Sequence, residues 1–596
     1  MTSLTDSVPD AAVPGPARRR PVRRGGLAWL SVPGVLFLLV VYVVPLGLLL
    51  VKSFTEPTPG LDNYRTLFEN AGYVRTILRT LEISAIATVL SLVLGYPVAY
   101  VMATAGRRWR TFLTLCVVTP YVTSVLVRTF AWQVVLGQDG PLNRAASSLG
   151  LGPYDMLFTP FAVAVGLTHF TLPLMILPLM SAMSQVPANL VPAARSLGAG
   201  PATAWAQVYL PQTRPGIEAG VVLCFVYGVG AFVIPVILGG NAGAMLGVTI
   251  QDAVTQQADY GFASAASVLL ALCVLVVVLL YRWRFGGSLE ALAAPRTAGL
   301  RARSRRPAGG RVLRVVTWFA RPLDALGLSK AGWVVKAFSL VVALSLLLPQ
   351  FVAIPVSLSS SRAMVVPPPG WSTQWYANLL SADWLRSFVT SLEIAAAVAI
   401  LATVLGTLTA IGVSRTRGRL GDAAGTLMIV PLLFPTVVAS AAFFLTFLPL
   451  YLTDTRIGLI LADTTLAMPF VFLIVHASAR QLDPRLEQAA ASLGARRRQQ
   501  LWRVVLPMLT SSITVAAFLA FTTSFDETPV AIFLTGVNVT TLPVQMYNSL
   551  TVQSDPTIAA AAVAIMVVAA LAVGLAPLLS GRIRRSASRP TNRSKT

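Results

Sequence analysis

The sequence predicts an all-α membrane protein with twelve transmembrane helices, arranged as two tandem six-helix repeats. Of its 596 residues, 55% are hydrophobic and only 12% are charged, which is too little charge to cover the surface of a water-soluble globular protein. Apolar runs of about 20 residues recur along the chain, and each is long enough to cross a hydrocarbon layer of roughly 30 Å as a helix. The two halves of the chain also align with each other.

The predicted spans divide evenly between the halves. Those of the first half are residues 27–51, 80–105, 111–132, 158–183, 216–239 and 261–281. Those of the second half are residues 337–358, 391–413, 423–447, 457–477, 513–535 and 557–579. We therefore expect, in chain order, a disordered tail (1–26), a first repeat (27–283), a linker (284–336), a second repeat (337–580) and a basic tail (581–596).

The net charge of +23 is explained by membrane topology, so it does not point to a nucleic-acid partner. If the N-terminus is cytoplasmic, 37 of the 46 Lys and Arg residues fall in the tails and cytoplasmic loops, as the positive-inside rule requires. Nothing in the sequence resembles a nucleic-acid-binding module. The Arg-rich linker is predicted to be a tether, and the alternative is a regulatory or anionic-lipid-binding segment.

Matched positions at two constant offsets indicate an internal duplication. At an offset of 311 residues, TLEI from Thr80 matches SLEI from Ser391, and the same offset pairs Gly95 with Gly406 and Pro120 with Pro431. At an offset of 296 residues the pairs are Pro173 and Pro469, Ala193 and Ala489, Gly198 and Gly494, Pro211 and Pro507, and Asp259 and Asp555. Each half has an even number of spans, so both copies insert in the same orientation.

A repeated segment between the fourth and fifth spans of each half is the most specific pattern in the chain. It reads PAARSLGAGPATAWAQVYLP at 192–211 and QAAASLGARRRQQLWRVVLP at 488–507. Ala194 and Gly198 are four residues apart, which predicts one small-residue face of a short helix that can approach a partner closely. The alternative is a tight contact within the chain. The candidate coupling residues are Ala193, Ala194, Gly198, Leu210, Pro211, Ala489, Ala490, Gly494, Leu506 and Pro507.

This segment resembles the loop of the membrane permeases of binding-protein-dependent ABC importers (the MetI-like type I fold), which reads Glu-Ala-Ala, three residues, Gly, nine residues and Ile-x-Leu-Pro. Pro192 and Gln488 stand where that family has Glu, and Val208 and Val504 stand where it has Ile. The resemblance implies that each loop docks on one of two copies of a cytoplasmic ATPase subunit. It also implies an extracytoplasmic solute-binding protein, a bacterial inner-membrane location with both termini cytoplasmic, and ATP-driven alternating access.

Within that family the chain is most similar to spermidine/putrescine permeases. The second half carries PPPGWSTQWYANLL from Pro367, SFDETPVAIFLTG from Ser524 and TLPVQMY from Thr541. The first half carries LDNYRTLF from Leu61 and GAFVIPVILGG from Gly230. The resemblance implies two fused permeases that carry a polyamine. Importers of ferric iron, thiamine and other small solutes share much of this pattern, so they remain the alternative.

Four acidic residues stand out within the predicted spans, where an ionisable side chain costs roughly 2.5–3.5 kcal/mol. Asp526 and Glu527 lie midway along the eleventh span, and Glu82 and Glu393 lie near the outer ends of the second and eighth. We expect these acids to line the path of a cationic solute. Pairing with Arg128, or simple solvation of Glu82 and Glu393, is the alternative. Pro235 and Pro529 are expected to interrupt their helices.

Neither an enzyme nor a metal site is predicted. The two histidines, His169 and His476, occupy unrelated positions in the halves, and the three cysteines fall inside predicted spans. No GxxxxGK[ST] loop occurs in the sequence, so ATP hydrolysis is assigned to separate subunits and no cofactor is expected. A secondary transporter with two six-span halves is the competing class, but it would have no need for two copies of a docking loop.

Overall fold

A computed structural model of the chain describes residues 25–285, 332–416, 418–553 and 555–567. Almost all of the predicted first tail and linker, and the whole second tail, lie outside these residues. In chain order the helices of the first half are α1 (Ala28–Thr55), α2 (Asp62–Glu69), α3 (Ala71–Thr104), α4 (Arg107–Val122), α5 (Val125–Leu136), α6 (Pro141–Ser148), α7 (Pro160–Met183), α8 (Leu190–Ser196), α9 (Leu210–Val229), α10 (Leu246–Thr255) and α11 (Tyr260–Phe285).

The second half follows a similar order, except that its first span is divided into two helices and α6 has no counterpart among the described residues. Its helices are α12 (Gly332–Ser345), α13 (Leu348–Ser357), α14 (Gln374–Asn378), α15 (Ala382–Arg415), α16 (Arg419–Leu433), α17 (Thr436–Phe447), α18 (Arg456–Gln481), α19 (Pro484–Ser492), α20 (Leu506–Phe525), α21 (Pro529–Leu534), α22 (Leu542–Asn548) and α23 (Thr557–Val567). One-turn helices at Pro201–Ala204 and Arg497–Gln500 precede α9 and α20, and π-helical segments lie at Leu39–Val43, Trp205–Tyr209, Pro235–Gly239, Leu501–Val505 and Ser549–Gln553.

The architecture is that of an all-α membrane protein. Within the described residues, eight helices are long and apolar enough to cross a membrane, and ten spans result when two bent helix pairs are each counted as one. The predicted fifth span corresponds to α9 followed by a break and the segment Pro235–Gly239. The predicted twelfth span begins at Thr557, as expected, and then passes outside the described residues.

The predicted third and ninth spans are each broken into two helices. The chain turns by 95° between α4 and α5 and by 100° between α16 and α17. Pro120 and Pro431 lie in the last turn before each break, where a proline lacks the N–H that would continue the helix. The turns bring the N-termini of α5 and α17 into the interior of the bundle.

The internal duplication predicted from the sequence is confirmed by matched hydrogen bonds. The backbone N–H of Leu246 donates to Thr80 Oγ1 at 2.9 Å. In the second half, the backbone N–H of Leu542 donates to Ser391 Oγ at 2.7 Å. The two donors are 296 residues apart and the two acceptors are 311 apart, so this one contact reproduces both offsets.

A second pair of equivalent contacts lies at the end of the bundle opposite the repeated loops. The N–H of Phe158 donates to the carbonyl of Leu238 at 2.8 Å, and the N–H of Asp454 donates to the carbonyl of Leu534 at 2.7 Å. Phe158 and Asp454 both have a positive φ, 59° and 56°, which non-glycine residues seldom adopt. Because this unusual geometry recurs at the offset of 296 residues, both halves descend from one structural unit.

Asp454 adds hydrogen bonds that Phe158 cannot make. Its carboxylate accepts from the backbone N–H groups of Asn538, at 2.9 Å, and Val539, at 2.8 Å, and from Asn538 Nδ2 at 2.8 Å. Partial desolvation opposes ionisation of this carboxyl, but these hydrogen bonds outweigh it and lower the pKa of Asp454 below its ordinary value, because they favour the charged form. The bonds fasten the loop before α18 to the loop after α21.

The two halves exchange their first helices. Leu30, Leu38 and Tyr42 of α1 are buried in an apolar cluster whose other buried members belong to the second half. Conversely, Val342 and Ala343 of α12 are buried in a cluster of the first half. This reciprocal packing makes the halves one unit and leaves a central interface between them.

The contact of α1 with the second half leaves no room for a side chain at Gly34. A Cβ atom built there would lie 2.1 Å from Thr409 Oγ1 on α15 and 3.1 Å from the carbonyl oxygen of Leu405. Gly412 on α15 shows the same close approach to α1, since a Cβ built there would lie 2.6 Å from the backbone nitrogen of Ser31. Glycine at these positions allows the two helix backbones to approach closely.

Candidate functional site

The first repeated loop forms the short helix α8, which ends at Ser196. Gly198 follows in the left-handed region, with φ of 90°. Its N–H donates to the carbonyl of Arg195 at 3.0 Å, and the N–H of Ala199 donates to the carbonyl of Ala194 at 3.2 Å. These two bonds define a Schellman motif, in which glycine terminates a helix because it has no Cβ to clash in this conformation.

The second repeated loop has the same geometry. Helix α19 ends at Ser492 and Gly494 has φ of 81°. The N–H of Gly494 donates to the carbonyl of Ala491 at 3.0 Å, and the N–H of Ala495 donates to the carbonyl of Ala490 at 3.0 Å. The loop sequence therefore encodes the end of a helix twice.

These loops correct the expectation that Ala194 and Gly198, and likewise Ala490 and Gly494, share one small face of a helix. Each glycine lies beyond the last helical residue, where its φ places it outside the helical geometry. A Cβ added at either glycine would meet no atom of the described residues within 4 Å. Within the chain, the glycines are thus explained by backbone conformation, with no packing contact that excludes a side chain.

The tips of both loops expose apolar side chains. Leu197 and Leu493, the residues just before the two glycines, are 90% and 88% exposed. Ala193 and Ala489 are also exposed, and Ala194 and Ala490 are half-buried beneath them. Singly exposed apolar side chains are common on protein surfaces, but these two occur at matched positions of the two halves.

A π-helical segment follows each loop and precedes its Leu-Pro pair. Trp205–Tyr209 comes before Leu210 and Pro211, and Leu501–Val505 comes before Leu506 and Pro507. A proline inside a helix clashes with the carbonyl four residues earlier and lacks the N–H that this carbonyl would accept. Widening the helix over the preceding turn relieves the clash, so the Leu-Pro pairs set how α9 and α20 leave the loops.

The second loop is also tied to the membrane helices by an ion pair. The Arg415 guanidinium at the end of α15 binds the Glu487 carboxylate on α19, and both side chains are largely buried. Arg415 also donates to the carbonyl of Ala479 on α18, at 3.4 Å. Val191 occupies the position equivalent to Glu487 in the first half. The second loop therefore has a polar connection for which the first half has no matching acid.

A cavity of about 320 Å³ lies between the two halves, close to the breaks described above. Both halves supply its wall, and five aromatic side chains contribute. They are Phe170, Tyr227, Phe232, Phe434 and Phe470. Apolar cavities with a few convergent polar groups are the usual form of small-molecule sites.

Asp526 and Glu527 line this cavity. They were expected midway along a continuous eleventh span, but α20 ends at Phe525 and α21 begins at Pro529. The predicted interruption at Pro529 is confirmed, and a matching break precedes Pro235 in the first half. Because the helix stops, both carboxyls lie on a short non-helical segment, where Glu527 accepts a hydrogen bond from the N–H of Val530 at 3.1 Å.

Asp526 joins the two halves. Its carboxyl lies close to the Ser124 hydroxyl and the backbone N–H of Val125, and it interacts with the charge of Arg128. Ser124 and Val125 form the start of α5, so an acidic side chain of the second half lies at a helix N-terminus of the first half. Helix N-termini favour negative charge in this position.

Sequence reasoning missed Asp463, a third acid beside Glu527. Asp463 is 5% exposed, and its Oδ2 accepts a hydrogen bond from Ser524 at 2.6 Å. Its carboxyl also interacts electrostatically with that of Glu527. The signal was present in the sequence, because this Asp lies inside the predicted span 457–477.

Glu82 and Glu393 are not part of the cavity lining. Glu82 is exposed on α3, and Glu393 on α15 forms an ion pair with Arg456 at 2.6 Å. Both side chains are exposed in this structure. Their role in a solute path stays a prediction.

The described residues contain no group of three or more His, Cys, Asp and Glu side chains that could hold a metal ion. His169 packs edge-on against Trp132, with ring centroids 5.7 Å apart, and His476 stacks on Phe472 at 5.0 Å. Cys224 is buried and donates to the carbonyl of Thr171 at 3.3 Å. These side chains have packing roles.

Comparison with known proteins identifies the family of this chain. The family described as "binding-protein-dependent transport system inner membrane component" matches the chain twice, at residues 91–285 and 402–585. The spermidine/putrescine transport system permease protein PotB of Haemophilus influenzae is 33% identical over 42% of this chain and 86% of its own length. The putrescine transport system permease protein PotI of Escherichia coli is 32% identical over 41% of this chain and 90% of its own length.

A solved bacterial ABC transporter that imports the acidic polysaccharide alginate is 21% identical to this chain. The similarity covers 42% of this chain and 92% of the other, with a TM-score of 0.36. The assignment rests on the two family matches, which together cover more than half of the chain. The chain therefore belongs to the family of inner-membrane components of binding-protein-dependent transport systems, and it carries two copies of the family's domain.

Proposed function

We propose that this chain forms the complete translocation path of an ABC importer for polyamines such as spermidine and putrescine. The observation that carries the proposal is the cavity between the halves, which presents Asp526 and Glu527 beside aromatic side chains. Among the described residues that line it, Arg128 is the one basic side chain. The acids outnumber the base, so the wall favours cations.

The chemistry of the wall suits a flexible molecule with several ammonium groups. Carboxylates offset the hydration that an ammonium group loses on leaving water, and aromatic faces attract cations by roughly 0.5–2 kcal/mol each. The relatives PotB and PotI are named for spermidine/putrescine and putrescine transport, which supports the same solute class. A ferric-iron or other small-solute importer is the alternative.

We place the driving reaction on two separate ATPase subunits. The exposed tips at Leu197 and Leu493 would dock on them, and the ion pair of Glu487 with Arg415 would transmit their movement to α15. Closure of the ATPase dimer would then rock the two halves around the cavity in alternating access, after an extracytoplasmic binding protein delivers the solute. This arrangement requires the repeated loops and both termini to be cytoplasmic.

The solute is tested by uptake into proteoliposomes that contain the chain, its ATPase subunits and its binding protein. We expect uptake of labelled putrescine or spermidine, and we expect Asp526→Asn combined with Glu527→Gln to lower it by at least about tenfold, since two charge interactions are lost. Glu69→Gln, in an exposed ion pair with Arg65, is the control. Ferric-iron uptake without polyamine uptake would refute the polyamine assignment.

Docking is tested by co-purification. Leu197→Asp and Leu493→Asp together should abolish retention of the ATPase subunits, because they place charges in an apolar contact. Leu149→Asp is the matched control, since Leu149 is 74% exposed at the opposite end of the bundle. Equal retention by both variants would show that the tips are not the docking surface.

A further inference from the structure

Arg128 is a buried cation inside the proposed solute cavity. It lies in the first turn of α5, is 8% exposed and lines the cavity. The carbon of its guanidinium lies 4.6 Å from the centroid of the Phe170 ring, which is the geometry of a cation–π contact. An organic cation therefore already occupies an aromatic face of the cavity, and this cation belongs to the protein.

The charge of the same guanidinium interacts with the carboxyl of Asp526 across the interface between the halves, and both side chains line the cavity. A buried carboxylate without a compensating charge is strongly unfavourable, so an empty cavity needs Arg128 to balance Asp526. The equivalent of Arg128 in the second half is Ala439, which is 1% exposed. At this position, only the first half therefore supplies a positive charge.

Glu527 and Asp463 lie on the side of Asp526 that belongs to the second half. Their carboxyls interact with each other, and Glu527 also interacts with Asp526. Arg128 is the single base among the described lining residues, so the acids exceed the positive charge in the empty cavity. A solute with one ammonium group would satisfy only part of this cluster.

We propose that Arg128 is a tethered counter-ion that competes with the solute for Asp526 and holds the two halves together until a solute ammonium group displaces it. This inference rests on the proposed cationic solute. It assigns Arg128 two effects: it lowers the affinity for the solute, and it restrains the movement of the halves when the cavity is empty. Solutes with at least two ammonium groups are selected, because one replaces Arg128 at Asp526 while another binds near Glu527.

The test uses the full chain assembled with its ATPase subunits in lipid nanodiscs. Arg128→Gln keeps hydrogen-bond donors and removes the charge, whereas Arg128→Lys keeps the charge. Phe170→Leu removes the aromatic ring that contacts the guanidinium. Binding of labelled spermidine and ATP hydrolysis without solute or binding protein are both measured. We expect Arg128→Gln to tighten spermidine binding by about tenfold and to raise the basal ATPase rate several-fold. Arg128→Lys should stay near the wild type in both, and Phe170→Leu should fall between.

The outcomes separate this inference from the proposed function. If Arg128→Gln weakens spermidine binding, or leaves both binding and basal ATPase unchanged while the wild type still binds spermidine, the counter-ion role is overturned and the polyamine assignment stands. If the wild type binds no spermidine but Arg128→Gln still raises the basal ATPase rate, the polyamine assignment fails and the restraint between the halves stands. If Arg128→Gln does not assemble, Phe170→Leu decides: unchanged affinity and ATPase rate overturn the inference.

Discussion

The role of Gly198 and Gly494 can be decided by substitutions for which side-chain size and backbone conformation predict opposite results. Both residues adopt a left-handed conformation after a helix end, and neither has a neighbouring atom within 4 Å of an added Cβ. If a partner subunit needs a small residue there, Ala should be tolerated better than Asn. If the backbone conformation is what matters, Asn should be tolerated better than Ala, although Asn is larger.

The structure favours the second ranking, and the cost can be worked out. An L-residue such as Ala in the left-handed region costs roughly 1–2 kcal/mol, which changes the population of the native loop by about 5- to 30-fold. Asn is several-fold enriched in this region, so its cost is smaller. No steric cost is added in either case, because the space around each glycine is open within the chain.

The assay is ATP-dependent uptake into proteoliposomes, with retention of the ATPase subunits measured in parallel. Gly198→Ala and Gly494→Ala should each reduce uptake several-fold, and the Asn variants should reduce it less. The double Ala variant should lose most coupled uptake, while its thermal stability changes little, because both loops are exposed. If Ala is tolerated and Asn is not, the glycines serve close packing on the partner and the helix-termination argument is refuted.

Three further predictions concern other contacts. Glu487→Gln should leave retention of the ATPase subunits intact and lower the amount of solute transported per ATP hydrolysed, because Arg415 loses its charged partner on α19. An unchanged amount of solute per ATP would show that this ion pair transmits no movement. Asp454→Asn should lower the melting temperature at neutral pH and have no effect well below pH 3.8, the ordinary carboxyl pKa. The reason is that the lowered pKa of Asp454 stabilises the fold above pH 3.8, and this stabilisation is lost as the pH falls. An equal decrease in melting temperature at both pH values would contradict this reasoning. Gly34→Leu should destabilise the chain by about 1–3 kcal/mol in thermal unfolding. Gly47→Leu on the same helix should not, because no atom lies near an added Cβ at that position. Equal melting temperatures of the two variants would refute the close packing of α1 on the second half.

The sequence predicted the features that depend on composition and on internal repetition. Hydrophobic runs located the membrane helices, and the offsets of 311 and 296 residues identified positions that make equivalent contacts, such as Thr80 and Ser391. It did not predict the sharp turns within the third and ninth spans or the exchange of the first helices. Those features depend on which helix faces pack together, and an apolar run has the same composition whichever neighbour it contacts.

The candidate site was only partly predictable, for a related reason. The cost of an acid in an apolar segment drew attention to Asp526 and Glu527, which the structure brings to the cavity, and to Glu82 and Glu393, which it leaves outside. Position along a span does not say which side of a helix faces the interior. The spacing of Ala194 and Gly198 suggested a helix face, but helical spacing is meaningless once the helix has ended.

The cavity shows how two copies of one unit came to share a site that neither could form alone. Gly230 is the first-half equivalent of Asp526, and a Cβ there would lie 2.8 Å from Pro435 Cβ, so an acid at Gly230 has no space. Ala439 is the second-half equivalent of Arg128 and is buried, so an arginine there would have no space either. A symmetric pair of identical subunits would have to place an acid and an arginine on both sides. Because the halves of a single chain can diverge independently, one supplies two acids and the other supplies the arginine, and these groups meet in the cavity at the interface between the halves.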